Sequence, residues 1–311
     1  MPRACLVCGR TLRLREKHLC LACAADVPYT RFWLQAHNPL ADRFNAVLER
    51  HRGTESMDYA YATSLLYYKG AYREIPRALK YEGDLVAGRY FGMLLGRRLA
   101  VAPHFSDVDL IIPVPLHWTR RWTRGYNQAE ILAQAVADAF CSARWPVAAG
   151  HDEGSTSESA VPSSFPGLAS TDSSVSDHRL ERLSNHVIPT GNLPVCRSDL
   201  LVRARRTRTQ TRLSVEQKAR NVESAFQVPD HFRNDHLLWR RVRDGLSRHS
   251  LPDRESPKDV LASARHILLI DDTFTTGATL YACYAALRPY TSARISIATL
   301  AAVEGTPSSG P

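Results

Sequence analysis

The chain has 311 residues, with 40 Lys plus Arg against 31 Asp plus Glu, a formal charge of +9, and 44% hydrophobic and 23% charged residues. That length suits about two domains with a sizeable core, and the composition excludes a collagen, a fully disordered chain and a small disulfide scaffold. No uncharged apolar run approaches the roughly 18 to 20 residues that span a bilayer. Arg10, Arg13, Arg15, Glu16 and Lys17 interrupt any secretory segment, so a cytoplasmic protein without a membrane span is expected.

Four of the seven cysteines lie in the first 23 residues, as Cys5-x2-Cys8, eleven residues, then Cys20-x2-Cys23. Two close pairs can supply four thiolates to one tetrahedral Zn²⁺. Gly9 follows the first pair, where a metal-binding turn often needs a positive φ. With four thiolates the site is closed, so residues 1–30 are expected to form a structural zinc module rather than a catalytic one. Cys141, Cys196 and Cys283 are dispersed and read as small buried or incidental residues.

Residues 28–58 give weak signals. Residues 59–68 are rich in aromatic and branched residues and predict a strand ending near Lys69-Gly70. Helices are expected around 75–79 and over 85–100. The apolar run 108–114, closed by Pro113 and Pro115, suits the end of a buried parallel strand. Residues 129–140 carry a helical stripe of Ile131, Leu132, Ala135, Val136, Ala139 and Phe140. Strand, loop and helix in that order is half of a βαβ unit. Nine serines then fall between Gly150 and Ser176 with no long apolar pattern, so 142–198 is expected to be a low-complexity insertion. A second insertion is expected at 230–263, with a short helix around 237–246.

The strongest chemical signal is Ile267-Leu268-Leu269-Ile270-Asp271-Asp272-Thr273-Phe274-Thr275-Thr276-Gly277-Ala278-Thr279. Four branched residues predict a buried strand, followed by two carboxylates, a small hydroxyl-rich turn, and a helical stripe of Leu280, Tyr284 and Leu287. A helix amino terminus reached through Gly277 points N–H groups and a partial positive charge at one spot. Thr275, Thr276 and Thr279 can add hydroxyl donors to a monophosphate there. A carboxylate pair would repel that anion, so it must face donors such as vicinal ribose hydroxyls, or Mg²⁺.

This stretch resembles the 5-phosphoribosyl 1-pyrophosphate (PRPP) motif of type I phosphoribosyltransferases. The resemblance implies that Asp271 and Asp272 take the ribose hydroxyls and that Thr273, Thr275, Thr276, Gly277, Ala278 and Thr279 complete the PRPP site. Upstream, Ile111-Ile112-Pro113-Val114-Pro115-Leu116-His117 precedes Arg120, Arg121 and Arg124-Gly125-Tyr126-Asn127-Gln128-Ala129. Downstream, Leu201, Arg203, Arg205, Thr207, Gln210, Leu213, Ser214, Arg220, Asn221, Val222, Ala225 and Phe226 form a spaced pattern. With the cysteines and Tyr67-Tyr68-Lys69-Gly70, these are similar to the ComF family of competence-associated, phosphoribosyltransferase-like proteins, over residues 1–141, 199–229 and 264–301.

The expected fold is therefore an α/β, type I phosphoribosyltransferase-like parallel sheet flanked by helices over 59–301, with the amino-terminal zinc module. Guanidinium forks at Arg120, Arg121 and Arg124 suit pyrophosphate oxygens. Residues 203–220 hold seven basic residues and one acid, a net +6. The resemblance implies a loop in which Arg203, Arg205, Thr207 and Gln210 close on the leaving pyrophosphate, whereas a basic arm would take single-stranded DNA. Two functions are expected to compete. One is phosphoribosyl transfer from PRPP·Mg²⁺ to an unread acceptor. The other, implied by the family name, is a DNA-uptake accessory contacting single-stranded DNA or a helicase, with PRPP as ligand or regulator.

Overall fold

In the strand β6 (His266–Phe274), Ile267 and Leu269 pack into one hydrophobic cluster while Leu268 and Ile270 pack into another. A strand sends successive side chains to opposite faces, so a run that is apolar at every position must be covered on both. A computed structural model of the protein describes residues 3–52, 59–116, 124–144, 193–203, 225–231 and 256–304. Among these, β1 (Ala62–Tyr67), β2 (Leu110–Pro113), β3 (Val195–Cys196), β6 and β7 (Arg294–Ala302) form a five-stranded sheet in the order β1-β7-β6-β2-β3. Every pairing in it is parallel. A separate antiparallel pair joins β4 (Val202–Arg203) to β5 (Phe226–Gln227).

Helices cover both faces. On one side lie α2 (Pro39–Arg52), α6 (Pro257–Ser263) and α7 (Ala278–Leu287), through Leu40, Phe44, Leu261, Leu280 and Leu287. On the other lie α4 (Leu85–Ala100) and α5 (Gln128–Arg144), through Phe91, Leu95, Leu132, Val136 and Phe140. The segment before β1 covers that strand's outer edge: Tyr67 donates its N–H to the Pro28 carbonyl at 2.9 Å and Thr30 to that of Leu65 at 3.2 Å. Unpaired edge groups are thereby removed.

Most expected elements recur, with informative differences. The region 28–58 holds α2, whose cap is Asn38: its Oδ1 accepts from Leu40 and Ala41, and its Nδ2 donates to the Ala62 carbonyl at 3.0 Å. Residues 142–144, expected inside the first insertion, complete α5, and residues 195–196 form the edge strand β3. A two-residue strand leaves too little pattern to be read against its serine-rich surroundings. Inside the second expected insertion, Ser256 and Asp259 form a reciprocal capping box that starts α6 and buries Leu261. The helix expected at 237–246 lies outside the described residues. Among those residues, no helix is long and apolar enough to cross a membrane.

The cysteine module, with α1 (Leu21–Ala25), docks on the α4 side. The His18 ring sits 5.1 Å from Tyr90 and 6.3 Å from Phe91, and the Tyr72 hydroxyl donates to the Cys23 carbonyl at 3.0 Å.

Candidate functional site

The chain winds from β2 to β3 in one direction and from β6 to β7 in the other. Right-handed crossovers in opposite directions put α5 and α7 on opposite faces and open a crevice between the carboxyl ends of β2 and β6. The two strands stay paired up to Pro113 and Ile270, and Val114 still donates to the Ile270 carbonyl at 2.8 Å. Immediately beyond stand the acids and the threonine turn.

The turn depends on a glycine. Gly277 has φ +80°, and a Cβ there would come within 3.0 Å of the Phe274 ring. No side chain caps α7 at Gly277. Its first helical bond runs from the Tyr281 N–H to the Gly277 carbonyl at 2.8 Å. The N–H groups of Thr279 and Leu280 therefore have no intrahelical acceptor, and that of Ala278 reaches the Thr276 hydroxyl at a long 3.5 Å. Thr275 and Thr276 are exposed, and Thr279 is half-buried. The turn is clamped from below by Arg43 of α2, which donates to the Thr275 carbonyl at 2.6 Å and the Val303 carbonyl at 2.7 Å and lies over the Phe274 ring.

β6 continues through Phe274, pairing Asp271 with Thr299 and Thr273 with Ala301. Both acids thus lie inside the strand rather than after it, and the two-residue alternation separates them. Asp272 is buried and forms an ion pair with Lys80 at 3.1 Å; Lys80 also donates to Thr273 Oγ1 at 3.2 Å. Asp271 is half-buried as a residue, and burial of its carboxyl, with the charge of Asp272 second, pushes it up to about 8. The Asp272 N–H, donating to Asp271 Oδ1 at 2.8 Å, acts first against that rise, followed by the charges of Lys80 and Arg203. Cys283 of α7 is raised by its own burial and then by the charge of Asp271. A neutral Asp271 and a paired Asp272 remove most of the repulsion that two free carboxylates would impose on an anion.

Five further motif residues have structural work. Arg124 lies 5.2 Å over the Tyr81 ring. Gly125 has φ +79°, the Tyr126 hydroxyl donates to the Leu79 carbonyl, and Asn127 donates to the Val114 carbonyl at 3.1 Å while accepting from Ala129. The stretch 124–129 therefore ties α5 to the end of β2 and to the turn carrying Lys80. Arg203 ends β4 with its guanidinium 5.2 Å over the Phe226 ring. Arg120, Arg121, Arg205, Thr207 and Gln210 lie outside the described residues. Lys80 and Arg43 are the residues sequence reading missed. Gly83 and Asp84 do signal a helix break and a new cap there, but no local pattern tells where a lysine or arginine tip reaches.

At the other end of the strands, His266 bridges Asp107 at 2.7 Å and Ser296 at 2.8 Å. Serine, histidine and carboxylate in line suggest a nucleophilic triad. Ser296 is wholly buried, so no substrate reaches it. The line instead ties the α4–β2 loop to β6 and β7.

The Cys5, Cys8, Cys20 and Cys23 sulfur atoms all lie within 4.8 Å of one another, with Cys8 and Cys20 3.7 Å apart. A tetrahedral site with Zn–S near 2.3 Å requires sulfurs about 3.8 Å apart, so the spacing is compatible with structural zinc. Gly9 has φ +72°, as the turn requires. Arg10 donates to the Cys20 sulfur at 3.2 Å and lowers that thiol to about 6, while burial raises Cys23. Four thiols held this close cannot all ionise without a cation between them.

The described residues thus define an α/β protein with a glycine- and threonine-containing turn at its sheet's switch point and a four-cysteine cluster near its amino terminus. No protein-family model matches the chain, and no curated protein matches it.

Proposed function

We propose that the chain is a PRPP-binding, type I phosphoribosyltransferase-like protein of ComF type that transfers phosphoribose to an acceptor with release of pyrophosphate. The observation that supports this reading best is the amino terminus of α7, reached through Gly277 and the threonine turn that directly follows the two acids of β6. The N–H groups of residues 278–280 and the hydroxyls of Thr275, Thr276 and Thr279 hold the 5-phosphate. Asp272, an acceptor when ionised, takes the ribose hydroxyls, and protonated Asp271 can both donate and accept. Nucleophilic displacement at the anomeric carbon then needs orientation and charge stabilisation rather than a covalent intermediate.

Mg²⁺ would travel on the ligand's phosphates and neutralise the departing pyrophosphate; the one cluster of three or more ligating side chains among the described residues is the cysteine set, which suits Zn²⁺. The basic run shared by the pyrophosphate-loop and single-stranded DNA readings lies outside the described residues beyond Arg203, so the phosphoribosyl reading rests on the threonine turn and the two acids. Replacing Asp271 and Asp272 together by Asn is expected to abolish PRPP binding in calorimetry. Unchanged affinity would remove the site assignment, and a pyrophosphate-release screen with nucleobases, amines and DNA would then identify the acceptor of the wild-type chain.

A further inference from the structure

Lys80 stands in a costly piece of backbone. α3 (Glu74–Arg77) runs into a π-helical turn, Ala78–Glu82, which ends at Gly83 with φ +68°. Asp84 then caps α4 by accepting from the Ala87 N–H at 2.8 Å. The Tyr126 hydroxyl bond to the Leu79 carbonyl, from a different helix, holds that turn in place. π turns are rare and concentrate at functional sites, because a regular helix would be the cheaper continuation. Here the turn delivers one ammonium group to the carboxyl end of β6.

That ammonium is only partly committed. Lys80 Nζ donates one hydrogen bond, to Thr273 Oγ1, and forms an ion pair with Asp272. It has no other hydrogen-bond acceptor among the described residues, and the side chain remains 26% exposed. The order of groups along the site is then the α7 terminus, the carboxylates at the end of β6, and Lys80. A ribose carrying phosphate on carbon 5 and an anionic leaving group on carbon 1 presents anion, hydroxyls and anion in that same order. A single positive pole at α7 serves one end of such a ligand; a second is needed at the other.

We propose that Lys80 is a ligand-binding residue of this site and holds the pyrophosphate arm of a phosphoribosyl diphosphate. The inference rests on the phosphoribosyl reading above, and the two fail separately. Calorimetry would compare inorganic pyrophosphate and ribose 5-phosphate, each at fixed Mg²⁺, on wild type, Lys80→Met and Lys80→Arg. Loss of one charge-assisted contact is expected to weaken pyrophosphate about tenfold or more in Lys80→Met. Ribose 5-phosphate should stay within about twofold, and Lys80→Arg should recover most of the pyrophosphate affinity. Equal loss of both ligands, or unchanged pyrophosphate affinity, would reduce Lys80 to a structural partner of Asp272 and overturn the proposal. Wild type that binds ribose 5-phosphate but not pyrophosphate overturns Lys80 alone. Wild type that binds neither overturns the phosphoribosyl reading and Lys80 with it. Thermal unfolding of both variants separates a misfolded site from a changed one: affinity lost only in step with melting counts against Lys80.

Discussion

Asp271 and Asp107 are pulled in opposite directions by their surroundings. Burial raises Asp271 to about 8, so the fold favours its protonated form. Its contribution to stability is fully present below the unfolded value near ~4 and is lost as pH rises through about 8. Asp107 is lowered, first by its hydrogen bond to His266, so its contribution is present above the unfolded value and is lost as pH falls through the folded one. Asp271→Asn keeps the shape and cannot ionise. It is expected to melt higher than wild type at pH ~8 to 9, by an amount on the order of a few kcal/mol, and to converge with wild type near pH ~4. Equal melting curves across that range would show that the Asp271 carboxyl is solvated. The two acids were legible from their position after a branched run. Their separation was not, because it depends on β6 pairing with β7 through Phe274.

At the scale of elements, the packing of α4 on α5 sets the second helical layer. Gly88, Gly92 and Gly96 recur every four residues and form one stripe on α4. A Cβ on Gly92 would stand 2.7 Å from that of Ala135, and one on Gly96 would stand 2.6 Å from that of Ala139 and 2.8 Å from the Val136 Cα. Gly-to-Ala in a helix ordinarily gains up to about 1 kcal/mol. Here the obstacle is partly backbone, which cannot turn aside, and overpacking costs about 1–3 kcal/mol. Gly96→Ala is therefore expected to lower stability by about 1–2 kcal/mol in urea unfolding. A raised midpoint would mean that the helices have room to spare. The glycine spacing is visible in the sequence, but the helix it meets, and therefore the sign of the effect, comes from the tertiary contact.

For the whole molecule, the cysteine module and the sheet domain differ in how they are held together. The module's own buried cluster is Cys5, Leu12 and Cys20, far too little for an independent core, while the sheet carries two extensive clusters on its faces. A zinc ion supplying about 10–16 kcal/mol would be its main source of stability. Purified protein is expected to contain about one zinc per chain, lost in Cys20→Ser. Chelation should then release the module from Tyr72, Tyr90 and Phe91 while the sheet domain still unfolds as a later, separate transition. Metal-free protein that melts in one unchanged step would sink the zinc assignment.

The sequence by itself determined the local features: the paired cysteines, the branched strand with its acids and threonine turn, the span of α4 and the apolar stripe of α5. These arise from periodicity and from turn chemistry between near neighbours. Tertiary structure decided what depends on distant segments meeting. It placed α2 in the core, made residues 195–196 an edge strand, turned the two acids to opposite sides of β6, and brought Lys80 to the end of β6 and Arg43 to the threonine turn. Those outcomes follow from strand pairing and from the reach of long side chains across the fold, which residue order alone does not encode.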